Sequence, residues 1–268
     1  MRQYISQKEL DEKGLLTIIG KDYRYMRQVL RLKAGDMLAV RLPSGELKGM
    51  TLCKIDEDSK KIILQICAQE IDISELENQP EQVDAENLLE YWLFMFLPKS
   101  SKMDLIVRQA TECGVARIFP VVSSFSQKGS EKLNFRGERF ERIIKEARQQ
   151  SGSPVNTVVE DCITVQQAGE IWQKQLEECR SAGTEARGCV LYERSEFTTS
   201  LSECLKDAKN LKKCAIVCGA EGGISPEEIR LLLESGFKAV HFKTNILRCE
   251  TAALYGIAAL QNIVTENM

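Results

Sequence analysis

Apolar and polar positions change rhythm along this chain, and the changes mark out its elements. Up to about Ala68 the apolar residues come in short β-rich runs: LAVRL at 38–42, GMTLCKI at 49–55 and KIILQIC at 61–67. Turn signals separate them, Pro43-Ser44-Gly45 after the first and Asp56 to Ser59 before the last. This spacing predicts a small β-barrel. Between Tyr23 and Leu32 the period becomes helical, with Met26, Val29 and Leu30 on one side and Arg24, Arg27 and Arg31 between them. From Glu70 to Glu90 the acidic residues accumulate without a Lys or Arg, around Pro80, which predicts a solvated linker.

Beyond the linker, strand and helix patterns alternate. YWLFMFL (91–97) predicts a buried strand, and KMDLIVRQATECG (102–114) a helix with Met103, Ile106, Val107 and Ala110 on one face and Gly114 ending it. RIFPVV (117–122) predicts the next strand, followed by strands at 188–192, 214–218 and 238–242. Helices are predicted at about 136–150, 164–180, 198–209, 225–235 and 250–264. Alternation of this kind implies a parallel sheet covered by helices, with ligands at the carboxyl ends of its strands. The reading is a domain over 1–72, an acidic linker over 73–90 and a second domain over 91–268.

Composition narrows the partners only slightly. A net charge of -3 on 268 residues carries no argument for nucleic acid, so any RNA footprint must be local. One local surplus exists: Lys21, Arg24, Arg27, Arg31, Lys33, Arg41 and Lys48 outnumber Asp22, Asp36 and Glu46, and Tyr23 and Tyr25 interleave as possible base-stacking rings. Lys99 and Lys102 would extend that path toward the second domain. A solvated helix face explains the same charges. The 10 cysteines are scattered with no CxxC, so no metal site is expected and the thiols read as small core residues. The amino terminus lacks the apolar run of a secretory signal and Tyr91–Leu97 is too short to span a bilayer; a soluble, cytoplasmic protein is expected.

Candidate chemistry lies in three segments where predicted strands end. Strand AIVC runs into Cys218-Gly219-Ala220-Glu221-Gly222-Gly223, and Ser225, Pro226 and Glu228 then open a helix as N-cap, first position and capping-box partner. Phe242 to Ala253 joins strand AVHF to the last helix and contains Arg248, Glu250 and Thr251. Leu191-Tyr192-Glu193-Arg194-Ser195 ends an earlier strand. Each segment alone is compatible with an ordinary strand-to-helix connection. His241, the single histidine, reads as a packing residue within its strand.

Taken in order, these segments resemble one family. AEGGISPEEI is similar to a Gly-Pro-Glu-Gly-Gly signature, and ILRCETAALYGIAALQ to an Ile-Leu-Arg-x-Glu-Thr-Ala signature, of the bacterial 16S rRNA uridine-N3 methyltransferases, the RsmE family. KSSKMDLIVRQATECGVARIFP and VLRLKAGD resemble two further family segments, so the likeness runs from residue 29 to 261. The resemblance implies an α/β SPOUT-type parallel sheet with a C-terminal trefoil knot, preceded by a small PUA-like β-barrel RNA-binding domain. It also implies a homodimer, S-adenosylmethionine as cofactor, and small-subunit rRNA as partner.

By the same resemblance, the cofactor-binding residues would be Leu191, Tyr192, Glu193, Cys218, Gly219, Glu221, Gly222, Gly223, Phe242, Lys243, Asn245, Leu247, Cys249, Thr251 and Ala252. Arg248 and Glu250 would be catalytic: Arg248 to stabilise charge on the uracil, Glu250 as base or as the group that holds Arg248. Arg24, Arg27, Arg31, Lys33, Lys99 and Lys102 would bind RNA. This chain departs from the family at Ala220, usually Pro, at Phe242-Lys243, usually Leu-Gly, at Asn245, usually Arg, and in QQSGSPVNT, which lacks a usual arginine. Ribose 2′-O methylation by the same fold and a catalytically silent RNA-binding homologue are the alternatives. A dehydrogenase is disfavoured by the lack of GxGxxG.

Overall fold

The computed structural model describes residues 3–67, 89–126, 129–194 and 197–267. Most of the acidic linker and Ser195 therefore lie outside the described residues. The described chain divides into two compact units, one of 3–67 with Arg148–Pro154 and one of the remainder. The sequence pattern places Arg148–Pro154 in the second domain, whereas in the fold this stretch groups with the first unit. The backbone there serves the first unit: Gln3 donates its side-chain amide to the carbonyls of Arg148, 3.0 Å, and Ser153, 3.1 Å.

In the first unit β1 (Gln3–Ile5), β2 (Leu15–Ile19), β3 (Met37–Arg41), β4 (Leu47–Asp56) and β5 (Lys61–Ile66) form one sheet in the order β1-β3-β4-β5-β2. Only the β1–β3 pair is parallel. Period-two alternation sends Leu16, Ile18, Ile62 and Leu64 into a core with Val40, Met50 and Leu52. The sequence pattern does not predict β1 or β2: β1 has three residues and β2 begins straight after a turn, so neither shows a long alternation. The predicted helical turn is α1 (Gly20–Arg24) continued by a π-helical turn over Tyr25–Val29. It buries Met26 and also Tyr23, which therefore packs in the core and is not a ring available for stacking. Arg41 is likewise buried, donating to Gln3 and to the Gly45 carbonyl.

The second unit is the predicted parallel α/β sheet. Its strands are β6 (Glu90–Phe96), β7 (Arg117–Val122), β8 (Val158–Val159), β9 (Ile163–Thr164), β10 (Glu185–Leu191), β11 (Leu211–Cys218) and β12 (Lys238–Val240), in the order β12-β10-β11-β6-β7-β8 with β9 also on β7. Every pair is parallel. β8 and β9 escape prediction because two residues carry no periodicity. The continuous apolar run of β6 follows from burial on both faces. Leu93 and Met95 face one core with α2 (Ser100–Glu112), α3 (Glu138–Ser151), α5 (Leu201–Leu205) and α7 (Cys249–Asn267). Trp92, Phe94 and Phe96 face the other, with α4 (Val165–Ser181) and α6 (Pro226–Glu234).

Close packing and an extra strand contact shape the carboxyl-terminal part of this sheet. Gly256 lets α7 lie on the sheet, because a Cβ there would come within 2.6 Å of Ile216 and 2.8 Å of Leu191. After β10 the chain passes the outer side of β12, where Thr199 pairs in parallel with Val240. No described helix is long and apolar enough to cross a membrane.

Candidate functional site

The carboxyl ends of β10, β11 and β12 open into a cleft within the second unit. Three turns wall it: Leu191 to Glu193, Gly219 to Ile224, and Val240 to Cys249, closed by Ala252 of α7. The middle turn is tight. The Gly223 amide donates to the Ala220 carbonyl, 3.0 Å, and Gly223 sits at φ +78°, where an added Cβ would lie 3.1 Å from Glu193 Oε1.

The helix after that turn is capped as predicted, and Ser225 and Glu228 form a capping box. Glu228 does more than cap. It is buried, accepting the Ser225 amide at Oε2, 2.9 Å, and the Ser124 amide at Oε1, 2.7 Å, so it ties the loop after β7 to the glycine turn. Nothing local in the sequence exposes that second bond, which joins residues far apart along the chain.

Of the residues singled out in the sequence, Leu191, Tyr192, Glu193, Gly219, Glu221, Gly223, Phe242, Asn245, Leu247, Cys249 and Ala252 line the cleft. Cys218 does not; it is fully buried at the end of β11. Gly222 turns against Phe125, Lys243 points to solvent, and Thr251 lies exposed in the first turn of α7. Lys243 replaces a usual glycine without strain, since it is not among the residues with positive φ. Ile224 and His241 line the cleft from outside the expected segments, and Ala220, Thr244 and Ile246 line it from within them though not singled out there. His241 is half-buried just past β12, its Nδ1 3.2 Å from the Tyr192 carbonyl, so it is a wall residue and not a strand-packing one.

Arg248 is exposed, between the lining residues Leu247 and Cys249. Its expected partner has another attachment: Glu250 Oε2 lies 2.9 Å from Lys102 Nζ and accepts from Cys249 Sγ at 3.2 Å. Lys102 also reaches Glu221 Oε1, 3.3 Å, and this oxygen accepts the Lys99 amide, 3.3 Å. Lys102, expected on an RNA path, thus has its ammonium occupied within the second unit. Burial pushes the Glu250 carboxyl up, but its own backbone amide, Lys102 and Cys249 outweigh this and hold it at about 2. Its hydrogen bond to Glu250 raises the Lys102 ammonium. Burial first, and then the hydrogen bond to Glu250, push the Cys249 thiol up to about 11.

In the first unit Arg24, Arg31 and Lys33 are exposed, and Arg31 is held at φ 55°. Arg27 is partly engaged, donating to the Leu32 carbonyl, 2.7 Å, and to Glu57, 2.7 Å.

A parallel α/β domain with a strand-end cleft beside a glycine turn is a cofactor-binding architecture. A family model described as an RNA methyltransferase domain matches residues 85–261. The chain is 29% identical over 271 residues to ribosomal RNA small subunit methyltransferase E 2 of Borreliella burgdorferi, covering 98% of this chain and 99% of that one. It is 26% identical over 262 residues to the ribosomal RNA small subunit methyltransferase E of Bacillus subtilis, covering 96% and 93%. The fold is shared with the crystal structure of a ribosomal RNA small subunit methyltransferase E from Neisseria gonorrhoeae bound to S-adenosyl methionine, with a TM-score of 0.75 and 22% identity over 98% of each chain. The chain belongs to the RNA methyltransferase family, in its RsmE group.

Proposed function

We propose that this protein transfers a methyl group from S-adenosylmethionine to N3 of a uridine in 16S ribosomal RNA. The observation that carries this reading is the cleft where the three strand-end turns converge. Its residues fit the cofactor. Leu191, Ile224 and Leu247 offer apolar walls, and among the described residues the amides of Asn245, Ile246 and Leu247 make no hydrogen bond within the protein, so they are available to a ligand. Gly223 keeps a side chain out of the turn. The bound cofactor supplies an electrophilic methyl group on a sulfonium.

The chain's own task is to place the uridine in line, and positioning provides much of the acceleration. Loss of the N3 proton to solvent water leaves negative charge spread to O2 and O4, and Arg248 is the donor that stabilises it. Glu250 is a supporting anion and not the proton acceptor, because a carboxyl held at about 2 is a weak base.

The first unit is the PUA-like β-barrel that grips RNA, with Arg24, Arg27, Arg31 and Lys33 as its footprint; Lys99 of the second unit is a further RNA-binding residue, and residues 73–90 link the two units in sequence. A trefoil knot is supported by β12 lying between β10 and Thr199, two parts of one earlier stretch of chain. A homodimer is supported by the exposed apolar side chains of Phe197 (88%), Ile246 (89%) and Tyr255 (47%). The cytoplasm, where rRNA is made and assembled, is its location.

Mass mapping of small-subunit rRNA from cells with and without this protein tests the reading. One base-methylated uridine should vanish with the protein and return with it. A ribose-methylated nucleoside in its place, or an unchanged map, refutes it.

A further inference from the structure

The ammonium of Lys102 is a point where three separate stretches of the cleft's surroundings meet. It stands in the first turn of α2, 2.9 Å from Glu250 Oε2, 3.3 Å from Glu221 Oε1 and 3.7 Å from Cys249 Sγ. Glu221 belongs to the glycine turn after β11, and Cys249 and Glu250 begin α7 directly after the loop beyond β12. Glu221 and Cys249 also line the cleft. The side chain is only 24% exposed, so water screens these contacts incompletely. The charged and titratable groups at the ammonium are Glu221, Glu250 and Cys249.

We infer that Lys102 is a positioning residue that pins the glycine turn and the start of α7 to one another, so that the cleft's two walls keep their spacing through a single cation between two carboxylates. Resting on the function proposed above, this makes Lys102 a determinant of cofactor affinity without contact to the cofactor. The reason is electrostatic. Without the ammonium, two carboxylates converge on one point with no counter-charge, and like charges so placed either take up a proton or move apart. Moving apart displaces Glu221 and Cys249, and with them the wall.

Three variants test the inference. K102M should lower S-adenosylmethionine affinity in calorimetry on the order of tenfold, the size of one disrupted ionic contact network. K102R should retain most of the affinity. K102M/E221Q should recover part of what K102M loses, because removing one carboxylate removes the repulsion; a merely structural lysine would not be rescued by a second deletion. Hydrogen exchange supplies a readout that needs no cofactor: K102M should speed exchange in 219–223 and in 242–250, and E221Q only in 219–223. A K102M protein that binds the cofactor like wild type, or a double variant no better than K102M, overturns the inference. So does unchanged exchange in both segments, or loss of RNA affinity alone. If K102M does not fold, E221Q decides by its effect on 219–223. Failure of the wild type to bind S-adenosylmethionine refutes the proposed function instead, and the exchange pattern still judges the clamp.

Discussion

Replacing Glu228 isolates the strut beneath the glycine turn. Its two carboxylate oxygens accept the Ser225 amide at 2.9 Å and the Ser124 amide at 2.7 Å, with the side chain buried. Hydrogen bonds to a charged group contribute about 1.5–3 kcal/mol each, and a buried amide left without an acceptor costs about 1–3 kcal/mol. Glu228→Ala removes both bonds and is expected to cost about 3–5 kcal/mol, allowing for partial rehydration of Ser124 at the loop surface. Glu228→Gln keeps the shape but turns an NH2 toward one of two N–H donors, so it should cost about 2–3 kcal/mol despite being nearly isosteric. For a unit of this size 1 kcal/mol moves the thermal midpoint by roughly 2–4 °C, so shifts of about 4–12 °C are expected for Gln and larger ones for Ala. Differential scanning calorimetry of the full chain reads this directly. If Glu228→Gln melts within about 1 °C of wild type, the strut is not the reason for that carboxylate.

The cleft itself yields three more expectations. Gly223→Ala forces a Cβ into a left-handed turn beside Glu193, at a cost of about 1–2 kcal/mol, and should weaken S-adenosylmethionine about 5- to 30-fold by calorimetry while RNA binding is unchanged; equal cofactor affinity would remove Gly223 from the site. Arg248→Ala should abolish most methylation while cofactor affinity stays near wild type, and full restoration of the rRNA modification by this variant would exclude Arg248 from catalysis. Because the folded-state Glu250 carboxyl is lowered from 4.5 to about 2, its stabilisation is complete above 4.5 and is lost as pH falls through about 2. Thermal midpoints of wild type and Glu250→Gln should therefore differ at neutral pH and converge in acid, and a constant difference down to pH ~2 would contradict the pairing.

Much of the second unit was legible because its elements are long and their signals local. β6 carries an uninterrupted apolar run, α2 shows its buried face at helical spacing, and Ser225, Pro226 and Glu228 write out a helix start within four consecutive positions. The strand-end turns could be located for the same reason, since a glycine turn between a strand and a capped helix is a local pattern. Short elements were not legible: β1, β8 and β9 are too brief to show a period, and their pairing partners, not their own residues, make them strands.

Side-chain roles divided along the same line. Local sequence marked Tyr23 as a ring among arginines, Lys102 as a cation on an RNA path at the start of a helix, and Glu250 as an anion beside Arg248. Packing of distant segments buried Tyr23, set Lys102 between Glu221 and Glu250, and brought His241 to the cleft wall. The sequence alone determined where the helices of the second unit and its longer strands run and which turns close them, because propensity, capping and periodicity act over a few residues. Which carboxylates face Lys102 was decided only by tertiary structure, because Coulomb interactions act through space and its partners Glu221 and Glu250 lie more than a hundred positions away in the chain.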